Sequence, residues 1–201
     1  MTFGKRLFDI LFALLILPFV ALIGVAIWAV LALTQGRPWF YAAERMNAPN
    51  HAFRLWKFRT MTVDRNDSGI SGAHKAGRIT PAGRVLRRTR LDELPQIWNI
   101  LKGDISFVGP RPPLREMVER FPGVYGEVLK SRPGVTGLAS LCYHRHEEWL
   151  LARCTTAAEA DAIYTRRCVP EKARLDLMYA RNRSVCFDLV LIWRTMRRVL
   201  H

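Results

Sequence analysis

An uninterrupted apolar run near the start of the chain limits the folds open to it. From Ile10 to Leu33 the chain has 24 residues without a charged side chain. A straight helix of that length would measure roughly 36 Å, against a bilayer hydrocarbon core of about 30 Å. The run is long for the core of a secretory signal, and no convincing cleavage site follows it. The sequence therefore predicts a helix that contacts a membrane.

A proline inside this run bears on how the helix meets the membrane. Pro18 removes a backbone hydrogen bond and bends a helix. Lys5 and Arg6 precede the run, and Arg37 and Arg45 follow it, so the positive-inside rule gives no orientation. A helix bent at Pro18 that enters and leaves on one face would satisfy both flanks. The residues alone leave a single span and a hairpin both open.

The rest of the chain is strongly basic. The 201 residues carry a formal net charge of +14, nearly all of it beyond residue 33. Such a charge indicates an anionic partner, which can be a phosphate-bearing substrate, an anionic lipid headgroup or nucleic acid. No two cysteines have C-x-x-C spacing, which argues against a zinc site. We expect reduced, mostly buried thiols at Cys142, Cys154, Cys168 and Cys186.

Local patterns predict helices joined by short strands. A loop-rich connector is expected over 34–50, a strand over 51–61 and a surface loop over 62–77. A second short strand is expected at "ISFVG", residues 105–109. Helices are predicted over 80–90, 92–103, 114–130, 146–181 with a break at Pro170, and 186–200.

Two adjacent carboxylates stand out in "RLDELPQIWN", residues 90–99. Pro95 is tolerated only in the first turn of a helix, which places Asp92 and Glu93 at a helix start. The positive end of the helix dipole favours the ionised carboxylates there and also favours a bound anion. An Asp-Glu pair at such a position is usually a solvated cap. The alternative is a reaction centre, and the neighbouring basic residues bear on that choice.

Several arginines and a lysine stand in short, proline-rich or strand-like segments. Arginine binds two phosphate oxygens at once, and proline fixes a loop before a ligand arrives. Each segment alone is a weak signal, because a lone arginine is usually a solvated surface charge. The candidates for phosphate binding are Lys57 and Arg59 in "KFRTM", Arg88 in "GRVLRRTR", Arg111 in "GPRPP" and Arg132 in "SRPGVTG".

Together and in this order, these segments resemble a known family. The chain is identified as a member of the bacterial sugar transferase family, the small monotopic phosphoglycosyl transferases. The resemblance covers most of the chain, and its central stretch is long and specific. The matching segments are "KRLFDIL", "FRLWKFRTM", "GRITPAGRVLRRTRLDELPQIWNILKGDISFVGPRP", "RPGVTGLA" and "ARNRSVCFDLVLIWRT".

The resemblance implies a two-step enzyme reaction. Asp92 would attack the β-phosphorus of a UDP-sugar, so that UMP leaves and a covalent phosphosugar–aspartate remains. Polyprenyl (undecaprenyl) phosphate would then take the sugar phosphate, with Glu93 handling a proton. Mg²⁺ would support the reaction with Asp92 as its protein ligand. This is the first membrane step of bacterial glycoconjugate assembly.

The resemblance also implies an architecture. The fold is expected to be α+β and mainly helical, with a re-entrant membrane anchor over residues 1–36 that breaks at Pro18. Residues 37–201 would form a cytosolic catalytic domain with short strands and interfacial amphipathic helices. The expected location is the cytoplasmic face of the bacterial inner membrane. Membrane lipid is an expected partner, nucleic acid is not, and a homo-oligomer is left open.

Four features depart from the family pattern. The Leu17-Pro18 pair lies about one turn earlier than the usual Ser-Pro break, Arg90 stands where serine is common, and Asn47 replaces a usual glycine. The segment 141–173 is longer than usual and contains "HRHEE", residues 144–148. We interpret it as a polar helix start, with a metal site or a part of the sugar pocket as alternatives. The rival to the enzyme is a membrane-tethered module that binds nucleic acid or acidic lipid.

Overall fold

The helices and strands of the protein were located in a computed structural model that describes residues 2–62 and 77–200, without the side chains of 199 and 200. The surface loop expected over 62–77 lies almost wholly outside these residues. The α-helices are α1 Phe3–Thr34, α2 Pro81–Arg88, α3 Gln96–Lys102, α4 Arg115–Arg120, α5 Pro122–Val128, α6 Leu138–Leu151, α7 Ala157–Ile163, α8 Val169–Asn182 and α9 Val185–Leu200. The strands are β1 Phe40–Ala48, β2 His51–Phe58, β3 Ser106–Val108 and β4 Gly134–Thr136. The expected mainly helical α+β class is confirmed.

The apolar run forms α1, one helix of 32 residues. Pro18 lies inside it, and the helix continues through the proline instead of separating into two arms. The predicted hairpin is therefore not confirmed. Large apolar side chains project outward along the helix, with Phe19 69% and Leu22 74% exposed. By length and composition α1 can cross a membrane, and its exposed apolar surface indicates membrane association.

The start of α1 is held to the rest of the protein by buried polar contacts. Nζ of Lys5 lies 2.5 Å from Oδ2 of Asp188 in α9, and the hydroxyl of Tyr179 donates to Oδ1 of the same carboxylate at 2.6 Å. Asp9 accepts a hydrogen bond from the hydroxyl of Ser106 at 3.0 Å. Charges buried this deeply require partners, so these contacts fix the position of α1 against β3 and α9.

The end of α1 packs on the same domain through apolar contacts. Leu31 is 1% exposed and forms a cluster with Phe58 of β2 and Leu86 of α2. In the first half of α1, Ala13 is fully buried against a second cluster that includes Ile100. Both halves of the apolar helix therefore rest on the part of the chain that follows it.

An antiparallel hairpin follows α1. β1 pairs with β2 from Phe40 opposite Phe58 to Ala48 opposite His51, with an irregularity between Met46 and Ala48. The strand expected over 51–61 is confirmed, whereas the loop-rich connector expected over 34–50 is wrong for residues 40–48. The sequence "FYAAERMNA" has little apolar alternation, and its strand form depends on pairing with β2. Asn47 occupies the irregularity, where its side chain donates to the carbonyl oxygen of Asp104 at 3.3 Å.

A short parallel pair lies beneath the candidate site. β3, predicted from "ISFVG", pairs with β4, which the sequence did not predict. The backbones approach so closely that a Cβ at Gly109 would overlap the carbonyl oxygen of Arg132, and one at Gly134 would overlap the amide of Gly109. Glycine is required at both positions for this approach. It brings the "GPRPP" and "RPGVTG" loops together.

For the remaining helices, the predicted start of α2 matches the structure, whereas the predicted interruptions of the later helices do not. The hydroxyl of Thr80 accepts from the amide of Gly83 at 3.0 Å, which confirms the predicted start of α2. The helical stretch expected over 146–181 begins earlier, at Leu138, and is interrupted after Leu151. Pro170 lies in the first turn of α8, where proline is tolerated, so it does not break a helix there.

The cysteines only partly match the expectation. All four are free, but Cys142 and Cys186 are exposed and only Cys168 is fully buried. The prediction of mostly buried thiols is therefore wrong. α9 carries exposed apolar side chains together with Arg194, Arg197 and Arg198, as expected for a basic amphipathic helix.

Candidate functional site

Asp92 occupies a single 3-10 turn, Leu91–Glu93, immediately before α3. α3 begins at Gln96 with Pro95 as its N-cap residue, so the carboxylates precede the α-helix instead of lying in its first turn. Asp92 is 7% exposed, and its Oδ1 is buried without a hydrogen-bond partner in the described part of the chain. An unpaired buried carboxylate oxygen destabilises a fold, and beside cations such a group is a candidate for chemistry.

Glu93 has a strong partner. Nζ of Lys57, on β2, lies 2.6 Å from Oε1 of Glu93. A guanidinium nitrogen of Arg90 lies 3.8 Å from the same oxygen. Arg90 itself adopts a left-handed backbone conformation with φ of 58°. Lys57 therefore joins the β2 edge of the site to the turn that carries both carboxylates.

Burial and the neighbouring cations act differently on the three groups. Burial raises the pKa of Asp92, although Lys57 opposes the shift. Burial also opposes ionisation of Glu93, but Lys57 and Arg111 outweigh it, so the pKa of Glu93 is lowered. Burial lowers the pKa of Lys57. The expectation that a helix dipole favours ionised Asp92 is therefore wrong, because loss of solvent dominates at this position.

A buried asparagine fixes α3 against β2. The side-chain amide of Asn99 donates to the carbonyl oxygen of Arg54 at 2.8 Å and to Oδ2 of Asp104 at 2.9 Å. Its carbonyl oxygen accepts from the amide of Trp56 at 3.1 Å. These bonds set the distance between Lys57 and Glu93. Asn99 was not among the predicted residues, because its only signal in the sequence is a polar residue within the apolar stripe of α3.

A cavity of about 460 Å³ opens beside Glu93. Two of the predicted phosphate-binding residues, Arg88 and Arg111, line it. The "GPRPP" loop that carries Arg111 is held by the amide of Gly134, which donates to the carbonyl oxygen of Pro110 at 2.8 Å. A second, much smaller cavity is lined by Lys57, Glu93 and Arg111. Arg88 and Arg111 thus share the large cavity with Glu93, Lys57 and Arg111 share the small one with it, and Asp92 lines neither.

The other two predicted phosphate-binding residues lie elsewhere. Arg59 donates to the carbonyl oxygens of Gln35 and Gly36 at 2.8 and 3.0 Å, where it holds the segment after α1. Arg132 lies beside Arg6 near Gly103, at the opposite end of α3 from the carboxylates. Neither arginine lines the two cavities described at Glu93. The structure therefore does not bring Arg59 and Arg132 to the cavities at Glu93.

The "HRHEE" segment lies within α6, not at a helix start as expected. His144 pairs with Glu148 at 3.4 Å, and Glu147 pairs with Lys172 on α8 at 3.0 Å. Within residues 2–62 and 77–200, no group of three or more His, Cys, Asp or Glu side chains is arranged to hold a metal ion. His144, Arg145 and Glu148 instead line the large cavity, which agrees with the alternative that this segment forms part of a pocket.

Comparison with known proteins decides the family. The profile of the family described as "Bacterial sugar transferase" matches residues 1–201. The chain belongs to the bacterial sugar transferase family. This confirms the assignment that the motifs predicted, and with it the classification of the chain as a transferase enzyme. The Asp92-Glu93 turn lies inside the matched region of this sugar transferase.

Curated proteins similar to this sugar transferase differ in length. It is 32% identical to the UDP-N-acetylgalactosamine-undecaprenyl-phosphate N-acetylgalactosaminephosphotransferase of Aeromonas hydrophila, over 99% of this chain and 44% of that protein. It is 34% identical to the UDP-glucose:undecaprenyl-phosphate glucose-1-phosphate transferase of Klebsiella pneumoniae, over 96% of this chain and 39% of that protein. With the uncharacterized sugar transferase EpsL of Bacillus subtilis it shares 33% identity, over 98% and 87% of the two chains. It therefore spans less than half of the first two relatives.

Proposed function

We propose that this protein transfers a sugar 1-phosphate from a UDP-sugar to undecaprenyl or another polyprenyl phosphate and releases UMP. The observation that carries the proposal is the free, buried Oδ1 of Asp92 beside a cation-bound Glu93. The names of the relatives from Aeromonas hydrophila and Klebsiella pneumoniae, which both specify sugar-phosphate transfer to undecaprenyl phosphate, support the same reaction.

In the first step the carboxylate of Asp92 attacks the phosphorus that carries the sugar. A bond forms between that phosphorus and a carboxylate oxygen, and the bond to the bridging oxygen breaks, so that the electron pair leaves with UMP. Lys57 and Arg111 offset the repulsion between the incoming carboxylate and the phosphate oxygens. An oxygen that is buried and unpaired is oriented for attack without first losing a hydrogen bond.

The residues at this site can hold Mg²⁺ through one carboxylate together with the phosphates of the substrate. Mg²⁺ is commonly held by one or two carboxylates together with substrate phosphates, without a protein cage. The Asp92 carboxylate has a second oxygen that can serve as such a single ligand, and three clustered metal-binding side chains are absent from the described residues. Bound there with the substrate, the ion would neutralise charge on the diphosphate. We propose Asp92 as its protein ligand.

The Lys57–Glu93 pair is the proposed proton-handling unit. Glu93 alone is a weak base, because Lys57 and Arg111 lower its pKa. The pKa of Lys57 is also lowered, chiefly by burial, which brings its ammonium closer to the working pH. The pair can therefore take up or release a proton beside Asp92 while Glu93 keeps the Lys57 ammonium in place.

The contacts of α1 support an anchor that enters from one side of the membrane. The helix touches the following domain near both of its ends, at Lys5 and at Leu31. A helix that crossed the bilayer would place these contacts on opposite faces, and a domain of this polarity cannot extend through hydrocarbon. We propose that α1 enters the membrane from the cytosolic face and stays on that side, with a bend at Pro18 that does not interrupt the helix. Periplasmic labelling of a cysteine placed at Thr2 in intact cells would contradict this topology.

Release of UMP tests the reaction directly. The purified protein in lipid nanodiscs is mixed with individual UDP-sugars, with and without a polyprenyl phosphate, and UMP is quantified. Without acceptor we expect one UMP per enzyme and a protein mass increased by one phosphosugar. The Asp92→Asn variant should give neither. Full turnover by this variant would exclude the covalent step, and no UMP from any UDP-sugar would exclude the donor class.

A further inference from the structure

The large cavity at Glu93 has two chemically different walls. One wall is apolar and includes Ile16 and Val20 of α1, so it continues onto the exposed apolar surface of the membrane helix. The other wall is basic and draws on four parts of the chain. Its arginines are Arg87, Arg88, Arg90, Arg111, Arg145 and Arg198. A ligand with an anionic head and a long apolar tail matches both walls.

Some of these arginines have no partner of their own. In the described part of the chain, Arg88 and Arg145 form neither a hydrogen bond nor an ion pair, although both line the cavity. Arg198 uses one guanidinium nitrogen to bind the carbonyl oxygen of Leu141 at 2.9 Å. Guanidinium groups facing one cavity repel each other, and an anion bound between them removes that repulsion. The basic wall therefore has unused capacity for a phosphate.

His144 adds a neutral group to this wall. Burial lowers its pKa, and the nearby Arg90 and Arg198 lower it further, while Glu148 opposes the shift. A neutral imidazole can donate its N–H to a phosphate oxygen. Thr195 also lines the cavity. Its hydroxyl forms a hydrogen bond with the hydroxyl of Thr136 at 2.7 Å, which connects α9 to β4.

We propose that His144 and Arg145 of α6 and Arg198 of α9 bind the phosphate of the polyprenyl acceptor. Lys57 lines only the smaller cavity, so it serves the carboxylate pair from the other side. α6 and α9 then provide a subsite for the second half-reaction, outside the segment that supplies Asp92, Glu93 and Lys57. This inference rests on the proposed function and names the residues that its acceptor step uses.

The step balances without an additional reagent. An oxygen of the acceptor phosphate bonds to the phosphorus of the aspartyl phosphosugar, and the bond between that phosphorus and the Asp92 oxygen breaks. The electron pair returns to the Asp92 carboxylate. Arginines around the acceptor favour its dianion, which is the better nucleophile. The apolar wall at Ile16 and Val20 leads the isoprenoid chain toward lipid.

The two half-reactions can be measured separately, which distinguishes a defect at this subsite from a defect at the donor site. Exchange of labelled UMP into UDP-sugar without acceptor reports only the first, and full turnover reports both. We expect Arg145→Gln to leave the exchange rate unchanged and to raise the KM for polyprenyl phosphate on the order of tenfold. Arg84→Gln is the matched control, because Arg84 is an exposed arginine on α2, one turn from Arg88, that does not line the cavity.

Direct binding gives a second measurement that does not depend on turnover. Farnesyl phosphate binding to the protein in nanodiscs should be weakened by Arg145→Gln and unaffected by Arg84→Gln. An unchanged acceptor KM with unchanged farnesyl phosphate affinity would overturn the proposal. So would a loss of UMP exchange equal to the loss of turnover. Absence of exchange in the wild type would instead refute the proposed reaction, whatever the farnesyl phosphate result.

Discussion

Nζ of Lys57 lies 2.6 Å from Oε1 of Glu93, across the contact between β2 and the turn that precedes α3. The same turn leaves Oδ1 of Asp92 buried without a partner. Two adjacent carboxylates are thus given opposite environments, one neutralised by a cation and one left free. Pairs of titratable groups whose pKa values are pushed apart commonly have different catalytic roles. The variants below test this division.

Replacement of Asp92 by asparagine should inactivate the protein and stabilise it. The raised pKa of Asp92 means that burial opposes its ionised form, so a neutral side chain of the same shape removes an unfavourable charge. We expect Asp92→Asn to raise Tm by a few degrees at pH 7 while UMP release falls at least about a thousandfold. Thermal unfolding and UMP assays on one preparation measure both. A lower Tm would contradict the assigned cost of burial.

Replacement of Lys57 should move the pH profile. Because Lys57 lowers the pKa of Glu93, Lys57→Met should raise that pKa and shift the acid limb of the activity profile to higher pH. It should also cost about 2–3 kcal/mol of folding free energy, since it leaves a buried carboxylate unpaired. The double variant Lys57→Met/Glu93→Gln is the control. It should regain stability without regaining activity, and additive losses would argue against coupling.

Loss of the Asn99 side chain should destabilise the fold. Asn99→Leu keeps the volume but leaves the carbonyl oxygen of Arg54 and the amide of Trp56 unpaired. We expect a loss of about 2–4 kcal/mol in the free energy of unfolding by urea. Asn182→Ala is the matched control, because Asn182 is exposed and bonds only to the carbonyl oxygen of Met178. Its effect should stay within about 0.5 kcal/mol.

The backbone at Arg90 allows a clean test of conformational strain. Its φ of 58° is favourable for glycine and unfavourable for residues with a Cβ. Arg90→Gly and Arg90→Ala both remove the long 3.8 Å contact with Glu93, so they differ mainly in backbone preference. We expect the glycine variant to be more stable than the alanine variant by about 1 kcal/mol. Equal stabilities would show that the turn relaxes at this position.

Asp176 should make stability depend on pH. Burial raises its pKa from 3.8 to about 7. The folded state therefore binds a proton that the unfolded state has lost, so this contribution is fully present below pH 4 and is lost as the pH rises toward 7. Asp176→Asn should be more stable than the wild type at pH 8, by up to about 4 kcal/mol, and equal to it at pH 4. A difference that does not change with pH would contradict the shift.

Local chemistry made part of this architecture predictable. The Thr80-Pro81 cap and the glycine that ends α3 at Gly103 depend on neighbouring residues, and both are confirmed. β1 was missed because its strand form depends on pairing with β2. The burial of Asp92 reversed an expectation based on helix dipoles alone. Such features depend on contacts between distant segments, which a periodic pattern does not record.

The candidate site was predictable where a motif fixes its residues. Asp92 and Glu93 were predicted together with Lys57 and Arg111, and the structure places both cations at Glu93. Arg132 was grouped with them because it precedes a rigid Pro-Gly pair, yet it lies at the other end of α3. His144 carried no phosphate-binding signal, because its role depends on how α6 packs beside α9.

The buried ion pair between Lys5 and Asp188 has a consequence for biosynthesis. Its two residues are separated by 183 positions, so a ribosome adding about 5–20 residues per second makes Asp188 roughly 10–40 s after Lys5. During that interval the apolar helix can already enter the bilayer, while the ammonium of Lys5 lacks Asp188 and can pair with lipid phosphates. Exchange of that temporary counter-ion for Asp188 becomes one of the last events of folding. Maturation would then be timed by the appearance of the final helix.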